Sequence, residues 1–343
     1  MFETCSRIVL PDSMPPSLTV VVDTEEEFDW TAPFDPKSTK VEAIDEIYRL
    51  QNVFDEFEIR PSYLVDFAIA TQERAKHALK PIMVDGRALI GAHLHAWINP
   101  PFCEDVSTYN SYQGNLPKEL EREKLINLIN AIDASFGIRP IIHKAGRYGV
   151  GNNTAQILSD LGFEIDISAV PAFDWSGDGG PDFSHLSQDM FWISPSGKLL
   201  GIPNTGGFIG ALRGAGPGMY SAVRLSQPMW NLLARALSRS RAVERILLSP
   251  EGHSLDKMVR LTRALVKTGY RAFTMSLHSP TVMPGGTPYT QNAAEVQSFL
   301  DKCRRYFDFF FTEIEGQSMT PVELRDFALR NTLPPNEAEV SSV

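Results

Sequence analysis

Five short apolar runs in this sequence each end in ionisable side chains. SLTVVV runs into Asp23, Thr24 and Glu25, and ALIGA into His93 and His95. PIIH continues into Lys144 and Arg147, ILLS into Glu251 and His253, and AFTMSL into His278. Carboxylates take up protons or hold metal ions. Imidazoles do the same and also donate protons near neutral pH. A lysine or arginine beside them orients a carboxylate or steadies an oxyanion. Of the histidines, only His77 and His185 fall outside these segments. Such a gathering points to metal-assisted or acid–base hydrolysis at one end of a set of strands.

Spacing sharpens each segment. Asp23, Glu25 and Glu27 alternate, so in an extended strand end they point one way; the other reading is a solvated acidic loop. His93 and His95 are two apart, which lets both rings reach one ion from a strand end. The bland reading is one core histidine and one surface histidine. Trp97 rules out a helical His pair four residues on from His93. His278, followed by Pro and Gly, reads as a general acid on a rigid loop or as a strand cap. Lys144, Arg147 and Tyr148 in KAGRYG lie on a Gly-hinged turn that offers cations and a backbone N–H, or only a charged surface turn. Asp174 and Trp175 offer a supporting carboxylate and an aromatic, sugar-facing wall, or only an Asx turn and a packed ring. GDGGPD lacks the spacing of a Ca²⁺ loop.

The elements that must carry these residues alternate. SLTVVV, IRPSYLVDF, ALIGAHLHAW, IIHKAG, RILLSPEG and AFTMSLHS read as strands, with FFFTEIE in the last strand position. Helical patterns lie between them, over 41–57, near 72–83, in KELEREKLINLINAIDASFG with Gly137 as its cap, and in NNTAQILSDLGF, LDKMVRLTRALVKTGY and AAEVQSFLDKCRRY. Roughly seven or eight βα units predict a parallel sheet closed, or nearly closed, into a barrel. The segment 170–218 breaks the alternation as a long insertion with short strands (MFWIS, KLLGI). Within it, IPNTGGFIGALRGAGPG reads as a flexible loop. We expect one catalytic domain over 1–331 and a polar tail over 332–343.

Composition excludes several classes. The charged share is 22% and the hydrophobic share 43%, which fits a globular fold and not a disordered, collagenous or coiled-coil chain. Lys plus Arg number 32 against 42 Asp plus Glu, a net charge of −10, which argues against nucleic acid as a general partner. Three scattered cysteines make no disulfide framework, and no signal-peptide pattern or run of about 18 apolar residues occurs, so a cytoplasmic protein without a membrane span is expected. There is no GxSxG elbow and no phosphate-binding glycine loop.

The order VDTEEEFDW, GAHLHAW, HKAGRYG, FDWSGDGG and SLHSP resembles the polysaccharide deacetylases of the NodB-homology type (carbohydrate esterase family 4), within them the WalW-like branch, over roughly residues 17–312. The resemblance implies a distorted (β/α) barrel of about seven strands and one divalent metal, Zn²⁺ by preference. It implies Asp23 as base and Glu25, His93 and His95 as ligands. It further implies His278 as acid, Lys144 or Arg147 as the cation on the base, and Asp174 as the group tuning His278. Tyr148 would contribute a backbone N–H, with Trp175 and Trp97 at the substrate. The implied reaction is hydrolysis of the acetamide of an N-acetylated amino sugar, in a polysaccharide or its precursor. The chain departs from the family pattern: the acidic pair is Asp-x-Glu, the histidines are two apart, and Lys144 stands in for an arginine. These departures leave His143 or His253 as alternative ligands. A non-sugar amidohydrolase, a glycosidase using Asp23 and Glu251, and a metal-free glycan-binding protein remain as alternatives.

Overall fold

The computed structural model describes residues 5–193, 199–216 and 243–331. The tail expected over 332–343, and residues 194–198 and 217–218 of the long insertion, lie outside the described residues. The chain runs β1 (Ser6–Arg7), β2 (Ser17–Thr24), α1 (Ile47–Glu56), β3 (Ser62–Val65), α2 (Phe67–Thr71), α3 (Glu73–Val84), β4 (Leu89–Leu94), α4 (Lys118–Phe136), β5 (Ile142–Ala145), α5 (Thr154–Asp160) and β6 (Ile165–Asp166). It continues through β7 (Phe191–Trp192), β8 (Leu200–Gly201), β9 (Gly206–Ile209), β10 (Glu244–Leu247), α6 (Leu255–Val266), β11 (Ala272–His278), α7 (Ala293–Asp308), β12 (Gln317–Ser318) and α8 (Pro321–Asn331).

Seven strands, in the order β8-β6-β5-β4-β3-β2-β11, are parallel throughout. β7 and β1 extend this sheet antiparallel beyond β8, and β12 adds two residues against the start of β2. The architecture is a distorted (β/α) barrel. Among the described residues no ladder joins β8 to β11. Isolated backbone hydrogen bonds reach β11 from the segments after β8 and β10 instead: Thr205 N–H to Thr274 O (3.1 Å) and Ser276 N–H to Leu248 O (3.3 Å).

The period of two along each strand sorts side chains into an inner and an outer face. Leu18, Val20 and Val22 of β2 and Phe273, Met275 and Leu277 of β11 pack outward, in one cluster with the helices. Val21, Leu64, Ile142, Ile165, Leu200 and Ala272 face inward and meet Leu324 and Ala328 of α8, so the lower interior is apolar. One pleat further along β2, β4, β5 and β11, the inward residues become Asp23, His93, Lys144, Ser276 and His278. Register brings them level: His278 lies beside Asp23, and His93 beside Lys144.

Three sequence expectations change. RILLSPEG does form a strand, β10, but it stands outside the parallel sheet and, among the described residues, pairs only with β9. FFFTEIE is not a strand; Phe309–Glu313 continues α7 as a π-helical turn, because Phe309 and Phe310 prolong its buried face. The glycine-rich stretch after residue 202 holds strand β9, which pairs antiparallel with β10. α4 does end at Gly137, whose φ of 74° is the left-handed cap that closes the helix onto Asp133 O.

Candidate active site and metal centre

β2 delivers Asp23 into the interior, where β5 meets it with Lys144. The ammonium donates to both Asp23 oxygens (2.8 and 2.6 Å) and to Ser276 Oγ (2.6 Å), which uses all three of its protons. Burial pushes the Asp23 carboxyl up, but the Lys144, His93 and His278 charges outweigh it, so Asp23 titrates below its ordinary value. The expectation for the cation therefore resolves to Lys144. Arg147 lies past Gly146 in a left-handed turn (φ 53°) and points away from Asp23. It pairs with Asp178 (2.6 Å), donates to Ser111 Oγ (2.6 Å) and stacks over Tyr112 (4.0 Å).

Glu25, His93 and His95 converge beside Asp23. Glu25 Oε2 lies 3.6 Å from His93 Nε2 and 3.4 Å from His95 Nε2, with all three side chains buried. The far nitrogens are engaged elsewhere: His93 Nδ1 with Lys144 O (3.1 Å) and His95 Nδ1 with Glu26 Oε2 (2.8 Å). Both partners are acceptors, so each Nδ1 carries the proton and each Nε2 offers a lone pair to the shared space. Burial pushes Glu25 up to about 8 and holds both imidazoles below their ordinary value. Two imidazole lone pairs converging on one glutamate carboxyl, which without a cation keeps its proton near neutral pH, fit a divalent cation that would take that proton's place, and the N₂O donor set suits Zn²⁺, Co²⁺ or Ni²⁺.

His278 stands across the site. Its Nδ1 meets Glu251 Oε2 (2.7 Å) and its backbone N–H donates to Glu251 Oε1 (3.0 Å), leaving Nε2 3.8 Å from Asp23 Oδ2. Burial alone would lower His278, but the charges of Glu251, Glu25 and Asp23 raise it to about 10. Glu251 is itself held by Thr281 Oγ1 (2.5 Å). The carboxylate on His278 is thus Glu251 and not Asp174. Asp174 accepts from Ser176 N–H (2.9 Å) in an Asx turn within the long insertion, whereas the loop after β10 runs directly against β11.

The remaining candidates separate. Trp175 lines the cavity, stacked on Phe173 (5.5 Å, 15°) and next to Tyr148 (4.9 Å). Tyr148 is also left-handed (φ 60°), and its ring lies 5.2 Å from Lys144 Nζ. Trp97 is only 2% exposed; its ring stacks against His95 (4.2 Å) and its indole N–H donates to Glu26 (2.9 Å). His143 faces outward from β5, bound to Asp166 (2.7 Å) and Gln113 (3.3 Å), so it lies apart from the Glu25–His93–His95 group. His253 lines the cavity near Leu247, away from that group. Glu27 does not share a face with Asp23 and Glu25, since the strand ends at Thr24; it accepts from Ala43 N–H (2.5 Å). Sequence reasoning passed over Glu26, Asp66, Ser276 and Trp30. Glu26 stood in view in the DTEEE run, but the alternation drew attention only to Asp23, Glu25 and Glu27.

The cavity above these groups has a volume of about 530 Å³. Its floor is polar and its walls are aromatic: Trp30 meets His278 edge-on (5.0 Å) and Tyr289 (5.6 Å), opposite Trp175 and Phe173. No helix among the described residues is long and apolar enough to cross a membrane.

The fold is shared with solved structures that include polysaccharide deacetylases. A protein from Mycobacterium smegmatis, assigned as a polysaccharide deacetylase, superposes with a TM-score of 0.54 at 14% identity, covering 98% of each chain. PuuE allantoinase gives 0.55 at 15% identity, over 95% of this chain and 93% of that one. A second assigned polysaccharide deacetylase, from Pseudomonas aeruginosa PAO1, gives 0.53 at 13%, over 94% and 92%. No protein-family model matches the sequence, and no curated protein matches it.

Proposed function

We propose that the chain is a metal-dependent N-deacetylase that hydrolyses the acetamide of an N-acetylated amino sugar, in a polysaccharide or its precursor. The observation that carries this reading is one juxtaposition. A Glu25–His93–His95 donor set lies beside an ionised Asp23 and across from a His278 that carries its proton. A divalent cation held by Glu25, His93 and His95 would supply Lewis acidity towards the carbonyl and lower the pKa of water.

The chain's own groups do the rest. Asp23 is kept as a carboxylate by Lys144 and takes the proton from the attacking water. The new C–O bond puts a negative charge on the acetamide oxygen, and the backbone N–H of the left-handed Tyr148 is the donor we assign to it. His278, with Nδ1 held by Glu251, gives the Nε2 proton to the departing nitrogen as the C–N bond breaks. Acetate and a free amine result. The aromatic walls, with Trp175 on one side and Trp30 on the other, suit the apolar C–H faces of a pyranose ring.

Elemental analysis of the purified protein, followed by acetate release from N-acetylated oligosaccharides, tests this reading. About one metal per chain, lost in a His93→Ala/His95→Ala variant, together with chelator-sensitive acetate release, is the expected result. Asp23→Asn should slow turnover by about 10²–10⁴-fold. Absence of metal after incubation with Zn²⁺ overturns the mechanism.

A further inference from the structure

Behind the Glu25–His93–His95 group lies a second buried layer whose carboxylates, Glu26 and Asp66, do not line the cavity. Glu26 is fully buried, and its two oxygens meet two donors: His95 Nδ1 (2.8 Å) on Oε2 and Trp97 Nε1 (2.9 Å) on Oε1. Asp66 is also fully buried and accepts Glu26 N–H (2.7 Å) on one oxygen and Ile69 N–H (2.7 Å) on the other, as the cap of α2. Trp97 lies flat against the His95 ring, and Gly146 closes the other side. A Cβ at Gly146 would come within 2.5 Å of His95 Cδ2. His95 is therefore fixed in position, in ring plane and in proton placement by its neighbours, of which Glu26, Asp66 and Gly146 do not line the cavity.

We infer that Glu26, clamped by Trp97 and anchored through Asp66, is the positioning residue that presents His95 Nε2 as a metal ligand. The inference rests on the proposed metal-dependent reading and extends it to a residue outside the ligand set. The same three side chains, Glu26, Asp66 and His95, come close enough together to suggest a second ion site. Their hydrogen bonds argue against it. Every carboxylate oxygen already faces an N–H, and a cation on Glu26 would have to displace the indole N–H and the imidazole N–H together. The arrangement is the carboxylate–histidine support that metal sites use to fix a ligand's tautomer.

A glutamine at position 26 makes the argument testable. Its amide offers one acceptor where two donors converge, so its NH₂ must oppose either Trp97 N–H or His95 N–H. Zn²⁺ titration by calorimetry should show one equivalent in the wild type and about 10–100-fold weaker binding in Glu26→Gln. Trp97→Phe keeps the carboxylate on His95 and should lose less. Glu26→Gln/Trp97→Phe should regain part of the affinity, because the amide oxygen can then turn to His95 unopposed. Long-range ¹H–¹⁵N spectra of the metal-free protein supply a readout independent of metal. His95 should be the Nδ1–H tautomer in the wild type and a shifted or mixed tautomer in Glu26→Gln. Wild-type protein that binds metal while Glu26→Gln binds equally well with an unchanged tautomer overturns the inference. So does a wild-type His95 protonated on Nε2, a result that needs no variant to fold. Two equivalents with one lost in Glu26→Gln overturns it in favour of a second ion. Wild type that binds no metal at all sinks the proposed function instead.

Discussion

The arc from β2 to β5 and the described residues between 166 and 253 build the same cavity by different means. The first is a continuous parallel ladder in which each inward residue has a fixed neighbour: Asp23, then His93, then Lys144. Its charges are buried and paired within the barrel. The second holds the two-residue strands β7 and β8, the separate antiparallel pair β9–β10, Asx turns and isolated hydrogen bonds, and its Asp178, paired with Arg147 of the turn after β5, is partly open to solvent. It supplies Trp175 and Phe173 to the wall. The contrast teaches a division of labour. The buried pair Asp23–Lys144 stands on regular strands, the other buried ionisable groups (Glu25, His95, Glu251) stand within a few residues of a strand's carboxyl end, and the aromatic groups Trp175 and Phe173 that shape the opening stand on loops.

Breaking the buried pair should have the largest effect. Lys144→Met leaves the Asp23 carboxylate inside the barrel without its cation, and the unfolding free energy should fall by about 3–5 kcal/mol. Denaturant unfolding with an unchanged m-value checks this. A loss below about 1 kcal/mol would show that water reaches Asp23 and that the arc is not the closed polar core its burial suggests.

The next effect falls where the two regions meet. Glu251→Gln should cost about 10²-fold in turnover, because His278 loses the carboxylate that holds its Nδ1 proton. Asp174→Asn, which leaves the Glu251 carboxylate on His278, should cost far less; a matching loss would mean that Asp174 also acts on His278 during the reaction. The pH dependence has a definite sign. His278 titrates at about 10 in the fold, above its ordinary 6.5, so its stabilising contribution is complete below about 6.5 and is lost as pH rises through about 10. In metal-free Glu251→Gln the folded value drops, and the stability-against-pH curve should flatten over that window. Chemical denaturation at a series of pH values reads it directly.

What the sequence revealed follows the same boundary. The parallel (β/α) barrel and the convergence of Asp23, Glu25, His93, His95, Lys144 and His278 were legible, because β-branched runs ending in ionisable residues mark buried strands, and period two then fixes the face. The strand set was legible only in part, since RILLSPEG falls outside the parallel sheet and the two-residue β6 is too short to show a pattern. The alternation misled at Glu26 and Glu27, since β2 ends at Thr24 and the chain turns. It was silent on which carboxylate serves His278. Glu251 and Asp174 both follow apolar stretches, and only the packing of the loop after β10 against β11 decides between them. Lys144 over Arg147 was decidable in principle: Lys144 keeps the inward parity of Ile142 on β5, while Gly146 ends the strand before Arg147. The π-helical turn at Phe309 was not, because a buried aromatic run reads alike in either geometry.

The smallest expected effect concerns Arg147 and Asp178, and it tests the loop side of the comparison. The pair is short (2.6 Å), but the two side chains are 25% and 41% exposed, so solvent screens it. A double-mutant cycle with Arg147→Met and Asp178→Asn should give a coupling below about 1 kcal/mol in stability. Arg147 also stacks on Tyr112, whose hydroxyl donates to Asp178 (2.8 Å), so the three side chains tie the KAGRYG turn to the insertion that carries Trp175. Loosening that tie should raise KM for an N-acetylated oligosaccharide by a few fold and leave kcat close to the wild-type value, since no member of the tie touches Asp23 or His278. A fall in kcat with KM unchanged would instead place Arg147 at the reacting centre. It would then share with Lys144 the part of the cation implied by the family pattern, and the boundary between a charge-holding arc and a shape-giving loop would have to be redrawn to include the turn.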